Sequence, residues 1–209
     1  MITQIPNAVT LTVNQENHIQ GIPTADKVAE WNRNTQMVNS IKNSIKSQLD
    51  ILQSKKCCYC GLDLYETSRA EIEHIAPKAS RINDYPEFTF EKENLALVCG
   101  FCNGSSKKGE KDIVLNRNNI YSNCTFKIVH PYFDNPNHHY EWINNSTQIL
   151  IRHRTRKGQF SILLFGLNTE THSNARGKQR IYEKKVKRRL ARHNAIDKFK
   201  RIIGFSRKI

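Results

Sequence analysis

Two short stretches decide how this chain folds: Cys57-Cys58-Tyr59-Cys60 and Cys99-Gly100-Phe101-Cys102-Asn103. Each carries a C-x-x-C pair, the spacing at which one tight turn presents two thiolates to a tetrahedral ion. Together they predict a closed structural zinc site with Cys57, Cys60, Cys99 and Cys102 as ligands. Cys58 can stand in for Cys57, but only Cys57 has the two-residue spacing to Cys60. Disulfides are the other use of six cysteines, and the paired placement argues for metal instead. Cys124, standing alone, is expected as a buried free thiol. Zinc at such a site contributes roughly 10–16 kcal/mol in apparent terms, which would offset a modest core. The 38 residues between the pairs exceed what a simple ribbon needs, so further structure is expected between the halves.

Inside that gap lie Glu71-Ile72-Glu73-His74-Ile75-Ala76-Pro77-Lys78 and Glu93-Asn94-Leu95-Ala96-Leu97-Val98. The alternation of Glu71 and Glu73 with Ile72 and His74 reads as a short strand, and Leu95–Val98 as a second. Asn103 to Lys111 reads as the start of a helix. A ββα unit stapled by zinc results, with His74, Asn94 and Asn103 drawn together. Phosphodiester cleavage needs a base near the attacking water and a cation on the leaving oxygen. One imidazole beside one carboxylate supplies both, if Glu73 binds the cation while His74 stays neutral near pH 7. Lys107 and Lys108 are candidates to grip flanking phosphates as point charges, against the plainer reading of solvated helix residues. Glu71 reads as a structural or supporting partner.

The order acid-His, Asn-Leu and Cys-x-x-Cys-Asn between these cysteines resembles the HNH, or ββα-metal, endonucleases, over Cys57 to about Lys111. The run I-E-H-I-A-P-K, with His130-Pro131-Tyr132-Phe133-Asp134-Asn135-Pro136 and Phe165-Gly166-Leu167-Asn168, narrows the likeness. It is similar to the HNH proteins of Septu-type and retron-associated phage defence. The resemblance implies that His74 is the general base, Glu73 an acidic metal ligand, and Asn94 the residue ordering the loop between the strands. Asn103 stands where many members carry a last His; its amide oxygen suits Mg²⁺ or Mn²⁺ better than Zn²⁺. The resemblance also implies an ABC/SMC-like ATPase partner in a prokaryotic defence complex.

Charge points to a polyanion. The chain has 209 residues, with 33 Lys+Arg against 19 Asp+Glu and a formal net charge of +14. Residues 176–209 hold 14 basic and 2 acidic residues, so the other 175 carry only +2. Nucleic acid, DNA ahead of RNA, is the expected partner of this tail, with Lys185, Arg188, Arg189 and Arg192 on its basic face. A solvated or partner-binding helix is the plainer reading.

The class expected is α+β, in four stretches: an N-terminal arm and packing helix (1–55), the zinc-stapled core (56–115), a mixed extension with a hairpin (116–173), and a basic C-terminal helix (174–209). Residues 1–23 look extended. Thr24 is read as the N-cap of one long amphipathic helix over 24–53, carrying Val28, Trp31, Val38, Ile41, Ile45, Leu49 and Leu52 on its buried face. The hairpin is expected from Gln148–Arg152 and Gln159–Phe165 around Lys157-Gly158. Tyr182, Val186, Leu190, Ile196, Phe199 and Ile203 form a rough stripe by which the tail is expected to pack. His130, His138 and His139 are read as surface-loop histidines ahead of a second metal cluster.

Other chemistries fail at single positions. Gly104-Ser105-Ser106-Lys107-Lys108-Gly109-Glu110 imitates a phosphate-binding loop but has Glu110 where the lysine must stand. A zinc deaminase needs H-x-E and P-C-x-x-C, whereas Ala76 follows His74-Ile75 and Val98 precedes Cys99. No H-E-x-x-H of a metalloprotease occurs. No run of about 18 apolar residues exists. Met1 to Thr12 lacks the pattern of a signal peptide, and a cytoplasmic location is expected. Two functional classes remain: a metal-dependent nuclease, and a non-catalytic zinc-stapled module that binds nucleic acid or a partner.

Overall fold

The computed structural model describes residues 2–66, 68–80 and 83–202, with side chains as far as residue 198. Its centre is an antiparallel hairpin of β1 (Ala70–His74) and β2 (Leu95–Cys99), in register from Ala70 opposite Cys99 to His74 opposite Leu95. All five residues of β2 are buried. That is why Leu-Ala-Leu-Val-Cys is continuously apolar instead of alternating.

The free side of β2 is covered by α3 (Gln36–Leu52), whose Val38, Ile41, Ile45 and Leu49 recur at helical spacing and are all buried. Just past its end, the buried Gln53 takes the place of a missing strand. Its Oε1 accepts from Leu97 N at 2.8 Å, and its Nε2 donates to Leu97 O and Lys56 O at 2.8 Å. The backbone N–H and C=O of Leu97 are thereby satisfied where no third strand pairs with β2.

The N-terminal half differs from expectation in two ways. The long helix over 24–53 is broken into a 3₁₀ turn at Thr24–Asp26, α2 (Lys27–Asn32) and α3. Thr24 makes no side-chain cap; the working caps are Thr35, which accepts from Val38 N, and the extended Arg33 that ends α2. The stretch 1–23, expected to be extended, contains α1 (Val13–Gln20), started by a reciprocal Thr12–Gln15 capping box. That T-x-x-Q signal was present in the sequence. Gln15 also donates to Ser40 and Ser44, tying α1 to α3.

After β2 the helix expected over 103–111 is only α4 (Gly100–Asn103). Gly104 ends it, and Gly109 adopts φ +43°. The segment between them is a turn that sends Lys108 inward. Two small sheets follow: β3 (Val114–Asn116) with β4 (Thr125–Phe126), and β5 (Tyr140–Trp142) with β6 (Ile151–His153), the latter preceded by α5 (Pro136–His139).

The expected hairpin is therefore displaced. Its first arm is β6, paired back to β5, and Gln159–Phe165 belongs to α6 (Arg156–Phe165), capped by Thr155 and closed by Gly166 at φ +62°. Short apolar runs do not distinguish strand from helix, and the Thr155 cap decides. A Cβ on Gly158 would sit 2.3 Å from His139 O, so only glycine lets α6 lie this close to the end of α5.

The last described element is α7 (Glu170–Ile202). Only its beginning packs, through His172 and Arg176; from 181 to 198 no residue is buried, and Tyr182, Leu190 and Ile196 are exposed. The expected packing of the stripe is not found there. Ile203 and the side chain of Phe199 lie outside the described residues. Among those described, no helix is long and apolar enough to cross a membrane.

Candidate metal centre and acid-histidine site

The first C-x-x-C pair sits on a tight turn before β1. Cys57 N donates to Leu62 O and Gly61 N to Cys57 O, with Gly61 at φ +70°. The second pair straddles the end of β2 and α4. Gly100 N donates to Ser68 Oγ at 2.7 Å, which anchors it to the loop before β1. The register of the hairpin brings the two turns together.

The four Sγ atoms of Cys57, Cys60, Cys99 and Cys102 lie within 4.8 Å of one another, all buried. Cys60 and Cys99 are 3.7 Å apart. A tetrahedron with zinc–sulfur arms of about 2.3 Å has edges of about 3.8 Å, so the cluster has the size of a zinc site. The thiols also need a cation. Hydrogen bonds from Cys102, Cys57 and Cys60 hold the Cys99 thiol far below its usual value; burial pushes Cys60 up, and hydrogen bonding with Cys57, Cys60 and Cys99, together with burial, pushes Cys102 up. A divalent ion among the sulfurs would favour the ionised form of these buried thiols. Cys57, not Cys58, belongs to the cluster, and Cys124 is buried and free as expected.

Two groups that spacing did not reveal stand behind the sulfurs. His172 Nε2 is 3.7 Å from Cys102 Sγ, and Arg176 donates through Nη1 to Ile149 O and Leu167 O. Both come from the packed start of α7. The charge of Cys60 and Cys102 favours the Arg176 cation, against the burial that lowers its pKa.

On β1 the acid and the histidine part company, as neighbours on a strand must. Glu73 is nearly fully buried with Lys108, whose Nζ stands 3.1 Å from Oε1. The contact is an ion pair without the angle of a directed hydrogen bond, so Oε1 keeps an unused acceptor direction. Burial pushes the Glu73 carboxyl up, and Lys108 opposes that shift. Lys108 itself is fully buried, which corrects its expected role as a grip on phosphate. Lys107 is half-buried along the bare backbone of Gly166.

His74 points the other way. Its Nε2 meets Thr89 O at 3.0 Å, and its ring meets Trp31 of α2 edge-on at 4.7 Å. A carbonyl only accepts, so Nε2 carries the hydrogen and Nδ1 the lone pair. Burial first, then the positive charge of Lys78, pushes the imidazole down to about 3, so it is neutral at pH 7.

Asn94 is fully used. Its Oδ1 accepts from Ala76 N at 2.6 Å and Tyr121 OH at 2.9 Å; its Nδ2 donates to Phe88 O at 2.9 Å and Ala76 O at 3.1 Å. It thus pins the backbone two residues after His74 and the carbonyl next to Thr89. Behind it, Tyr121 OH is 3.0 Å from His130 Nε2, while His130 Nδ1 accepts from Tyr132 N. His130 is therefore a buried support for Asn94, correcting its expected place on a surface loop; His138 is exposed and His139 half-buried. No motif spacing marked Tyr121 or His130 as members of this network.

Asn103 donates to Glu71 Oε2 at 2.7 Å and not to Glu73; Glu71, also held by Arg69, sits below the usual carboxylate range through those bonds, which outweigh its desolvation. Of the tail residues, Lys185, Arg188, Arg189 and Arg192 are all exposed on α7. Among the described residues, the four cysteines are the only group of three or more His, Cys, Asp or Glu side chains close enough to share an ion.

No family model matches the chain. Among curated proteins it is similar to the Septu protein PtuB of Bacillus mycoides (strain KBAB4), 29% identical over 150 residues, covering 65% of this chain. The chain spans about half the length of that relative.

Proposed function

We propose that this chain is a metal-dependent HNH endonuclease that hydrolyses nucleic-acid phosphodiester bonds as the effector of a prokaryotic anti-phage defence system, under the control of an ABC/SMC-like ATPase partner. The observation that carries the reading is a neutral His74, with its tautomer set by Thr89, next along β1 to the acid Glu73, on a hairpin closed by four clustered cysteines. The likeness to a Septu protein supports the defence role.

In this reading His74 Nδ1 takes a proton from the attacking water. The water oxygen bonds to phosphorus, the bond from phosphorus to the leaving oxygen breaks, and that oxygen is protonated from solvent. Glu73 and the amide oxygen of Asn103 would hold the cation, Asn103 nitrogen being committed to Glu71. The chemistry that Mg²⁺ or Mn²⁺ would supply if held there is neutralisation of charge on the leaving oxygen. The buried, under-used Glu73 Oε1 fits such a hard cation. The exposed basic residues of α7 track the backbone of the substrate.

Two observations favour the second reading, a zinc-stapled binding module: His74 is buried under Trp31, and Glu73 is already neutralised by Lys108. A single comparison separates the two. Plasmid DNA and total RNA are incubated with zinc-loaded wild type and His74→Ala, in Mg²⁺, Mn²⁺ or EDTA, with and without the ATPase partner. Metal-dependent cutting lost in the variant is expected. Binding without cutting by both proteins, partner included, would establish the binding module.

A further inference from the structure

Lysine is almost never fully buried unless it is paired, and Lys108 is among the largest fully buried side chains of the described residues. Its ammonium sits among oxygens alone: Glu73 Oε1 at 3.1 Å, Gly109 O at 3.3 Å and His74 O at 3.4 Å. One carboxylate and two carbonyls are also the donor set that hard divalent cations take. An ammonium and a divalent ion cannot share such a cage, because two positive charges a few ångströms apart in a buried site repel strongly. The off-angle contact to Oε1 marks the lysine as an imperfect occupant, leaving that oxygen without a directed donor. The means of departure is also built in. Lys108 is the last residue before Gly109, in a turn bounded by Gly104 and by Gly109 at φ +43°, with Ser105 and Ser106 exposed.

We propose that Lys108 is a built-in occupant of the cation position at Glu73, and that its withdrawal opens a site made of the Glu73 carboxylate and the carbonyls of His74 and Gly109. The chain as it stands is then a latent form, with the lysine as its internal counter-ion. This rests on the reading of Glu73 as the cation ligand. The two carbonyls enlarge that ligand set, and the turn 104–109 becomes the element on which an activating partner acts.

Mn²⁺ titrated into zinc-loaded protein and followed by the electron paramagnetic resonance of the free ion tests this without reference to activity. Lys108→Met is expected to bind one Mn²⁺ at least tenfold more tightly than wild type, and adding Glu73→Gln is expected to abolish the gain. Equal affinity in wild type and Lys108→Met would overturn the proposal, leaving the nuclease reading to the His74→Ala cleavage comparison. A gain that survives Glu73→Gln would overturn both the lysine gate and Glu73 as cation ligand. Should Lys108→Met fail to retain zinc and a native circular-dichroism spectrum, Lys108→Gln, which keeps a donor to Glu73 without the charge, is judged by the same criteria.

Discussion

Trp31 of α2 meets His74 of β1 edge-on, with ring centroids 4.7 Å apart, so the N-terminal arm closes over the one imidazole at the heart of the candidate site. Lys42 of α3 lies over the indole ring, 5.2 Å from its centroid. The arm expected merely to pack on the core is thereby part of the environment of His74. Its burial is the first cause of the low pKa of that residue.

Replacing Trp31 by Ala should therefore readmit water to His74 and raise its pKa from about 3 toward its ordinary value, at a cost of about 3–5 kcal/mol for a buried Trp. The imidazole titration followed by nuclear magnetic resonance checks this. An unmoved pKa would show that the indole is not what excludes solvent.

Asn94→Ala should destabilise the protein by about 2–4 kcal/mol, because it strands the buried Ala76 N and Ala76 O and takes one partner each from Phe88 O and Tyr121 OH. Urea unfolding measures the loss. In a double-mutant cycle with Tyr121→Phe the effects should be non-additive, since both remove the same hydrogen bond.

Stability should fall with acid before the carboxylates titrate. His74 and His130 are both held near 3 by burial, below an ordinary value of 6.5. Between those limits the unfolded chain binds up to two more protons than the folded one. Stability is then fully present above about pH 6.5 and is lost as pH falls toward 3, at up to about 2.7 kcal/mol per pH unit. Thermal melts across pH 7 to 4 check the direction, and His130→Asn should flatten the slope by half. A flat profile would show that the two rings are solvated.

Metal content is the simplest test of the cysteine cluster. One zinc per chain is expected by native mass spectrometry, and Cys99→Ser should abolish it together with cooperative unfolding, as the site contributes roughly 10 kcal/mol or more. Retention of zinc by that variant would place the ion elsewhere. Cys58→Ser, outside the cluster, should retain it.

The basic helix has a defined place for truncation. Arg176 is buried and bonded to Ile149 O and Leu167 O, so cutting there would damage the fold; removal of 184–209 spares it. If the tail neutralises about six phosphates, log K should fall with a slope near −5 against log salt, and the truncation should flatten it. An unchanged slope would locate the nucleic-acid surface on another face.

The cysteine cluster was legible because thiolate spacing is a local property: a C-x-x-C turn presents two sulfurs whatever surrounds it. The β1–β2 hairpin was legible for the same reason, from Ile72 and His74 alternating with acids and from the apolar run of β2. The stripe Val38, Ile41, Ile45, Leu49 likewise announced a buried helical face, though Arg33-Asn34-Thr35 broke the helix that carried it.

Everything that qualifies the acid-histidine pair came from elsewhere in the chain. That Lys108 faces Glu73 depends on a turn ending at a positive-φ glycine, and motif spacing says nothing of which way such a turn sends a side chain. Trp31 reaches His74 across 43 residues, and His130 supports Asn94 through Tyr121 across 36. By itself the sequence determined the residue types of the candidate chemistry and the staple that joins them, since both are set by neighbours along the chain. Only the tertiary structure decided which of those groups are paired, covered or solvent-exposed, because burial and charge pairing are properties of surfaces that meet only after folding.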